Sequence, residues 1–210
     1  YNLCNLFSVK NALEKEGFQA IISNSKKEIL DANIIILPGI GAFNEAMHRL
    51  KKLDLDNFLT DLILNGKNFL GICLGMQLLF DKSYEFGEHK GLGVLKGNVY
   101  SFKDNKKNNE LRVPFIGWNK IYPKKKLWKN TPLNGINPNS FMYFVHSYFV
   151  KPKNKNIILS LTNYSNFEYC SSIMMNNIFA FQFHPERSGV NGLNIYKNIK
   201  KSISLNKYIL

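Results

Sequence analysis

Two short apolar runs constrain this chain most. Ile34-Ile35-Ile36-Leu37 and Phe69-Leu70-Gly71-Ile72 are apolar at nearly every position, and each stops at a glycine-containing turn. A strand apolar on alternate residues buries one face, whereas a strand apolar throughout buries both. Around these runs lie segments with helical spacing: Val9–Glu16, Lys26–Leu30, Asn44–Leu53, Leu55–Asn65 and Leu74–Phe80. Buried strands alternating with helices predict an α/β fold, in which an open, mostly parallel sheet is flanked by helices.

The second half of the chain reads differently. Val94–Phe102, Tyr143–Val150, Ile157–Leu161 and Ile178–Phe183 are rich in β-branched and aromatic residues, and Leu193–Ser202 has helical spacing. The pattern predicts an antiparallel β-rich part added to the sheet. A short strand is also expected at Ala20–Ser23. Lys103–Glu110 and Lys151–Asn156 read as polar linkers. With 210 residues and no internal repeat, the expectation is one domain spanning 1–210.

Composition narrows the function. The chain carries 28 Lys and Arg against 15 Asp and Glu, a net charge of +13. The lysines are spread along the whole sequence, and no RNA-binding or zinc-finger pattern accompanies them, so nucleic acid is not the expected partner. An anionic phosphorylated small molecule or an acidic partner face accounts for the charge equally well. The three cysteines, Cys4, Cys73 and Cys170, show no CxxC spacing, which predicts neither a disulfide framework nor a metal site. No cofactor is expected, and a reducing cytoplasm fits. There is no signal-peptide pattern, and no apolar run approaches the ~20 residues that span a bilayer, so no membrane association is expected.

One cysteine is framed for chemistry. Gly71-Ile72-Cys73-Leu74-Gly75 has the form G-x-C-x-G between an expected strand and an expected helix. In a nucleophile elbow the reactive side chain sits on a sharp strand-to-helix turn, and flanking glycines let the backbone fold closely there. The helix end aims N–H groups at the sulfur, which favours a thiolate and can hold an oxyanion. A buried, inert cysteine is the common alternative. It remains the reading for Cys4 and Cys170, which lack such a frame.

A thiol nucleophile needs a base held by a third group. Of the four histidines, His48 lies among polar helical residues and His89 in a charged loop, which leaves His146 and His184. His184 follows an apolar strand and precedes Pro185-Glu186, where the proline stiffens the turn. His184 and Glu186 stand two apart, so extended backbone would put them on one side, the carboxylate orienting the imidazole.

These residues together resemble class I glutamine amidotransferases. Gly71–Gln77 and Phe183-His184-Pro185-Glu186 look like the two signature blocks of that family. Leu37–Phe43, Gly117-Trp118-Asn119, Tyr143–Tyr148 and Asn5–Val9 narrow the resemblance to its branch of imidazole glycerol phosphate synthase glutaminase subunits. The resemblance implies a flavodoxin-like fold, with a first strand preceding Tyr1. It implies that Cys73 forms a glutamyl thioester, that His184 shuttles the proton and that Glu186 orients His184. Gly39 and Gly41, in the Pro38–Gly41 turn, and Leu74 would serve the oxyanion. Gln77, Glu85, Tyr143, Val145, His146 and Ser147 would line the glutamine site. Trp118 and Arg187 would face a (β/α)8-barrel cyclase-type partner, the two chains forming a heterodimer that passes ammonia between them.

The chain departs from the family pattern at Asn2, Cys4, Phe7, Phe115 and Arg187. Phe7 and Phe115 tilt the acceptor toward the alternative of a paralogue that supplies ammonia for sugar amidation in surface-polysaccharide synthesis. A further alternative is a non-catalytic subunit that only activates a synthase, which an intact triad disfavours.

Overall fold

The computed structural model describes residues 6–104, 112–124 and 128–204. In chain order the elements are α1 (Leu6–Lys15), α2 (Lys26–Asp31), β1 (Ile34–Gly39), α3 (Phe43–Lys52), α4 (Asp56–Leu64), β2 (Asn68–Cys73) and α5 (Leu74–Leu78). Then come β3 (Phe80–Ser83), β4 (His89–Lys90), β5 (Leu95–Ser101), β6 (Phe115–Lys120), β7 (Tyr122–Pro123), β8 (Phe141–His146) and β9 (Tyr148–Pro152). The chain continues through β10 (Ile158–Tyr164), β11 (Phe167–Met175), β12 (Ile178–Phe181) and α6 (Gly189–Ser204). Asn2 and Cys4 lie outside the described residues, as do Lys125 and Lys126 of the lysine run and most of the Lys103–Glu110 linker.

The central sheet has six strands in the order β1-β2-β12-β11-β10-β7. Its first half is parallel, with β1 and β12 flanking β2, and its second half is antiparallel from β12 outward. It is thus a mixed sheet flanked by helices, with antiparallel strands appended as the second-half pattern implied. The uninterrupted apolar runs are explained by burial on both faces. In β12, Ile178 and Ala180 join the core on the α3–α4 side, whereas Phe179 and Phe181 join the core beneath α1 and α6. In β1, Ile35 and Leu37 contribute to the first cluster and Ile34 and Ile36 to the second. The longer helices answer with an apolar stripe. In α3, Phe43, Ala46, Met47 and Leu50 are buried at the i, i+3, i+4, i+7 spacing.

Beside this body lie a four-stranded sheet, β4-β3-β5-β9, and a two-stranded ribbon, β6-β8. Several expected boundaries move. Tyr143–Val150 is two strands rather than one: the ladder breaks at Ser147, with β8 in the ribbon and β9 in the four-stranded sheet. Ser147 spends its carbonyl on the Phe102 N–H instead. The expected helix Leu74–Phe80 ends at Leu78, and Phe80 starts β3. Ala20–Ser23 is not a strand: it has no ladder, and Ile21 and Ile22 are exposed. Strand propensity without a neighbour to pair with is not enough. The strands Phe115–Lys120 and Phe167–Met175 have no counterpart in the sequence pattern.

β1, β2 and β12 end together at their carboxyl ends, the usual crevice of an open α/β sheet. Gly39 pairs directly with Cys73 in the β1–β2 ladder. The segment after β12 continues past them to His184 and Glu186, which fixes the site.

Candidate active site

Cys73 ends β2 and immediately precedes α5, with φ 55° and ψ −109°. A non-glycine residue there is strained, as in a nucleophile elbow, and the surrounding packing must hold it. The two glycines make that packing possible. A Cβ on Gly71 would stand 2.7 Å from the Gly75 carbonyl oxygen, and a Cβ on Gly75 would stand 1.7 Å from the Leu37 carbonyl oxygen. G-x-C-x-G is therefore required because α5 presses backbone-to-backbone on β1 and β2. Leu74 is the first residue of α5, and Gly39 pairs with Cys73 across the β1–β2 ladder. Gly41 holds φ 105°, a conformation open to glycine and costly for other residues.

His184 Nδ1 lies 2.7 Å from Glu186 Oε1, and the carboxylate side chain is fully buried. The spacing of two works through a turn rather than a straight strand, because Pro185–Arg187 form one turn of 3-10 helix. Ser188 locks that turn. Its hydroxyl donates to the His184 carbonyl at 2.6 Å and accepts the Tyr143 N–H at 3.0 Å, while the His184 N–H donates to the Tyr143 carbonyl. Tyr196 of α6 donates to the other carboxylate oxygen of Glu186, at 3.5 Å. The remaining imidazole nitrogen, Nε2, is buried and makes no conventional hydrogen bond among the described residues. Burial alone would pull His184 below its ordinary value. The charge of Cys73, a hydrogen-bonding contact with it, and Glu186 outweigh that and raise His184 to about 10. Such an arrangement suits an imidazolium facing a thiolate.

The thiol of Cys73 donates to the Val145 carbonyl of β8, at 3.5 Å. Two glutamines complete the sulfur's surroundings. Gln77 Nε2 donates to the Tyr148 carbonyl at 3.1 Å and to Gln182 Oε1 at 3.0 Å, and Gln182 Nε2 lies 3.6 Å from Cys73 Sγ. Glu85 is half-buried and accepts the Phe43 N–H at 2.5 Å. Burial holds its carboxyl above the ordinary range, against the opposing Phe43 bond and the nearby His89. Glu85 is also close enough to Tyr148 to raise that phenol, after burial.

Toward solvent, the Arg187 guanidinium caps the Tyr143 ring at 4.5 Å, and Trp118, about half exposed, meets that ring edge-on at 5.8 Å. Of the residues expected at the site, the structure brings together Cys73, His184, Glu186, Gly39, Leu74, Val145 and Gln77. Glu85 stands beyond them near Tyr148, and Gly41 and Ser147 occupy bordering turns. The His146 side chain points away from any open lining. Its ring is a core group, packed on Phe102, Phe115, Phe144 and Tyr169, with both nitrogens engaged by Tyr148 O at 2.8 Å and Tyr169 OH at 3.2 Å. It lines no open surface, because an imidazole satisfied inside an aromatic wall has no reason to turn outward. Gln182, Ser188 and Tyr196 were missed. Gln182 alone left a signal, since it stands two residues before His184 and shares its side of an extended segment.

Cys170 gives a contrast within the same molecule. It is fully enclosed, and burial pushes its thiol up to about 12. It is an inert core thiol, as its lack of a glycine frame implied.

Comparison with known proteins points to one family. Residues 5–201 match the family described as Glutamine amidotransferase class-I. The chain is 45% identical over 202 residues to the imidazole glycerol phosphate synthase subunit HisH of Aquifex aeolicus, covering 96% of this chain and 93% of the relative. It is 41% identical over 198 residues to the subunit of the same name from Wolinella succinogenes, covering 94% and 95%. A solved glutamine amidotransferase superposes with a TM-score of 0.70 at 16% identity, covering 94% of this chain and 93% of that one. A putative GMP synthase component from Thermoplasma acidophilum gives 0.67 at 17% identity, covering 99% and 92%, so the architecture is shared well beyond recognisable sequence. With the family matched along nearly its whole length, this chain belongs to the class I glutamine amidotransferases.

Proposed function

We propose that the chain hydrolyses L-glutamine to glutamate and ammonia through a Cys73 thioester, and passes the ammonia to a partner synthase for imidazole glycerol phosphate formation in histidine biosynthesis. The observation that carries this is the convergence, in one buried corner, of a strained Cys73, an upward-shifted His184 and a buried Glu186. The names of the relatives at 37–45% identity support the histidine branch. Phe115, which tilted the acceptor toward sugar amidation, packs against Phe144 and Tyr164 in the core, so its identity answers to packing.

The chemistry follows from the atoms. The Cys73 proton passes to His184 Nε2, and the thiolate adds to the γ-carboxamide carbon of glutamine. The resulting oxyanion is held by main-chain N–H groups at Leu74 and the Gly39–Gly41 turn. His184 returns its proton to the nitrogen, the C–N bond breaks, and ammonia leaves a glutamyl thioester. Water then adds to the thioester as His184 takes its proton, and glutamate departs as the sulfur regains a proton. Glu186 holds the imidazole in the tautomer these steps need and stabilises its charged form. Gln77, Glu85, Tyr143, Val145, His146 and Ser147 are the proposed surroundings of glutamine, with His146 contributing through its backbone.

The proposed partner is a (β/α)8-barrel cyclase-type subunit that docks on the ribbon face. Ile116, Trp118 and Phe141 there are all at least half exposed, with Arg187 beside them, an apolar surface unusual for open solvent. The chain would work in the cytoplasm, and no helix among the described residues is long and apolar enough to cross a membrane. Glutamate release by the purified chain, alone and then with the barrel and an acceptor analogue, tests both halves. The isolated chain should turn over at least ~100-fold more slowly than the filled complex, the worth of one misplaced oxyanion donor. Full activity in isolation would end the conditional part of the proposal and leave the triad standing.

A further inference from the structure

Gln182 is the one fully buried amide that reaches the reacting sulfur among the described residues. It follows β12 between Phe181 and Phe183, and its amide reaches the sulfur that His184 also meets. Phe181 and Phe183 stack on each other at 5.1 Å in the opposite core. Burying a primary amide is costly unless each end is satisfied. Here the satisfaction is directional. The Tyr148 carbonyl can only accept, so the Gln77 atom that meets it is the nitrogen. That same nitrogen meets Gln182, so the Gln182 atom facing it must be the oxygen. The amide nitrogen of Gln182 is then left facing Cys73 Sγ, at 3.6 Å. A main-chain carbonyl thus sets, through two amides, which end of Gln182 the sulfur sees.

The sulfur's two contacts respond oppositely to ionisation. A thiol donates to the Val145 carbonyl and accepts from Gln182, whereas a thiolate can only accept. Moving the proton to His184 therefore removes the Val145 bond and strengthens the Gln182 one, as hydrogen bonds to charged sulfur are the stronger kind. We propose that Gln182 is a further catalytic residue, a donor fixed in orientation by Gln77 and Tyr148 that selectively stabilises the Cys73 thiolate. This rests on the assignment of Cys73 as the nucleophile. It also gives Gln77 a second task besides any contact with glutamine, and ties the sulfur to the Tyr148 segment that opens β9.

The test is the pH dependence of alkylation of the full chain by iodoacetamide, with the modified residue located by mass spectrometry. In the unsubstituted chain Cys73 should react selectively. In Gln182→Leu the inflection should move up by about one pH unit and the rate at neutral pH should fall about tenfold, the equivalent of one unit. Gln182→Glu, of the same size, places a carboxylate against the sulfur and should move the inflection further up. A merely structural role would leave the inflection in place in Gln182→Leu, whatever it did to thermal stability. If Gln182→Leu does not fold, Gln182→Met, which keeps the length of the side chain and removes the donor, decides in its place. Cys73 labelled with an unmoved inflection overturns the role of Gln182, whereas labelling that spares Cys73 overturns the nucleophile itself.

Discussion

His146 and His184 are 6% and 4% exposed; His146 ends β8 and His184 lies just past β12. Their protonation goes opposite ways. Burial depresses His146 to about 3, while His184 rises to about 10. The difference lies in their partners. His146 is held between a carbonyl and a phenol, and burial holds that phenol, Tyr169, well above its ordinary range and so neutral. His146 therefore donates from Nδ1 to Tyr148 O and accepts from Tyr169 OH, an arrangement that only neutral imidazole completes. His184 lies between a sulfur able to ionise and a buried carboxylate. Burial identifies neither as catalytic; the charge available to the partners does.

Substitution should separate the two sharply. Cys73→Ser and His184→Ala should each cut glutamine turnover by ~10⁴–10⁶-fold, the range seen when a triad loses its nucleophile or base. The double variant should be hardly worse than either, because members of one relay are strongly non-additive. His146→Leu should instead cost roughly 1–3 kcal/mol of folding stability, since Tyr148 O and the Tyr169 hydroxyl lose their partner inside the core. Its folded fraction should retain turnover. Steady-state kinetics paired with urea unfolding distinguishes these outcomes. A His146 variant that is stable but dead would dissolve the contrast between the two.

Glu186→Gln sharpens the same contrast at smaller amplitude. Glu186 contributes to raising His184, so the substitution should bring the alkaline limb of kcat/KM down from near pH 10 by about one unit. Its loss in turnover should be smaller than that of His184→Ala, by about two orders of magnitude on the pattern of other triads. An alkaline limb that stays in place would mean that Cys73 alone sustains the imidazolium.

Much of this was legible in the sequence, for reasons that can be named. Local constraints survive in one dimension: the glycines at 71 and 75 are forced by contacts with Leu37 and within the elbow, and His184 and Glu186 lie on one turn. The helices and the doubly buried strands showed through their periods. What failed depended on distant neighbours. Ala20–Ser23 has strand composition and no partner, while β6 is a strand because β8 lies beside it, from Phe115 opposite His146 to Lys120 opposite Phe141. The break at Ser147, which sends β8 and β9 into different sheets, has no proline or glycine to mark it. His146 was implied at the glutamine site by the family resemblance alone, and nothing local says which side of β8 its ring takes. Gln182 gained its contact with the sulfur from Gln77, far away in sequence.

The smallest expected effect comes from the pH dependence of stability, where the two histidines act in separate windows. An unfolded histidine titrates near 6.5, and folded His146 stays neutral down to about 3. Between those values the unfolded chain binds one more proton than the folded one, so stability falls as pH falls, by up to ~1.4 kcal/mol per pH unit from this group. His184 has the opposite sign and a higher window. Folded, it keeps its proton up to about 10, so its contribution is fully present below 6.5 and is lost as pH rises toward 10. Glu85, raised by burial, works against His146 in acid, because its folded carboxyl takes up a proton before the unfolded one does. The informative quantity is therefore a difference. Urea midpoints for the unsubstituted chain and for His146→Asn, measured from pH 6.5 down to 5, should converge as the pH falls, since the asparagine variant lacks the acid penalty. Parallel curves would mean that folded His146 takes up a proton in that range, and the neutral assignment of its two hydrogen bonds would have to be abandoned.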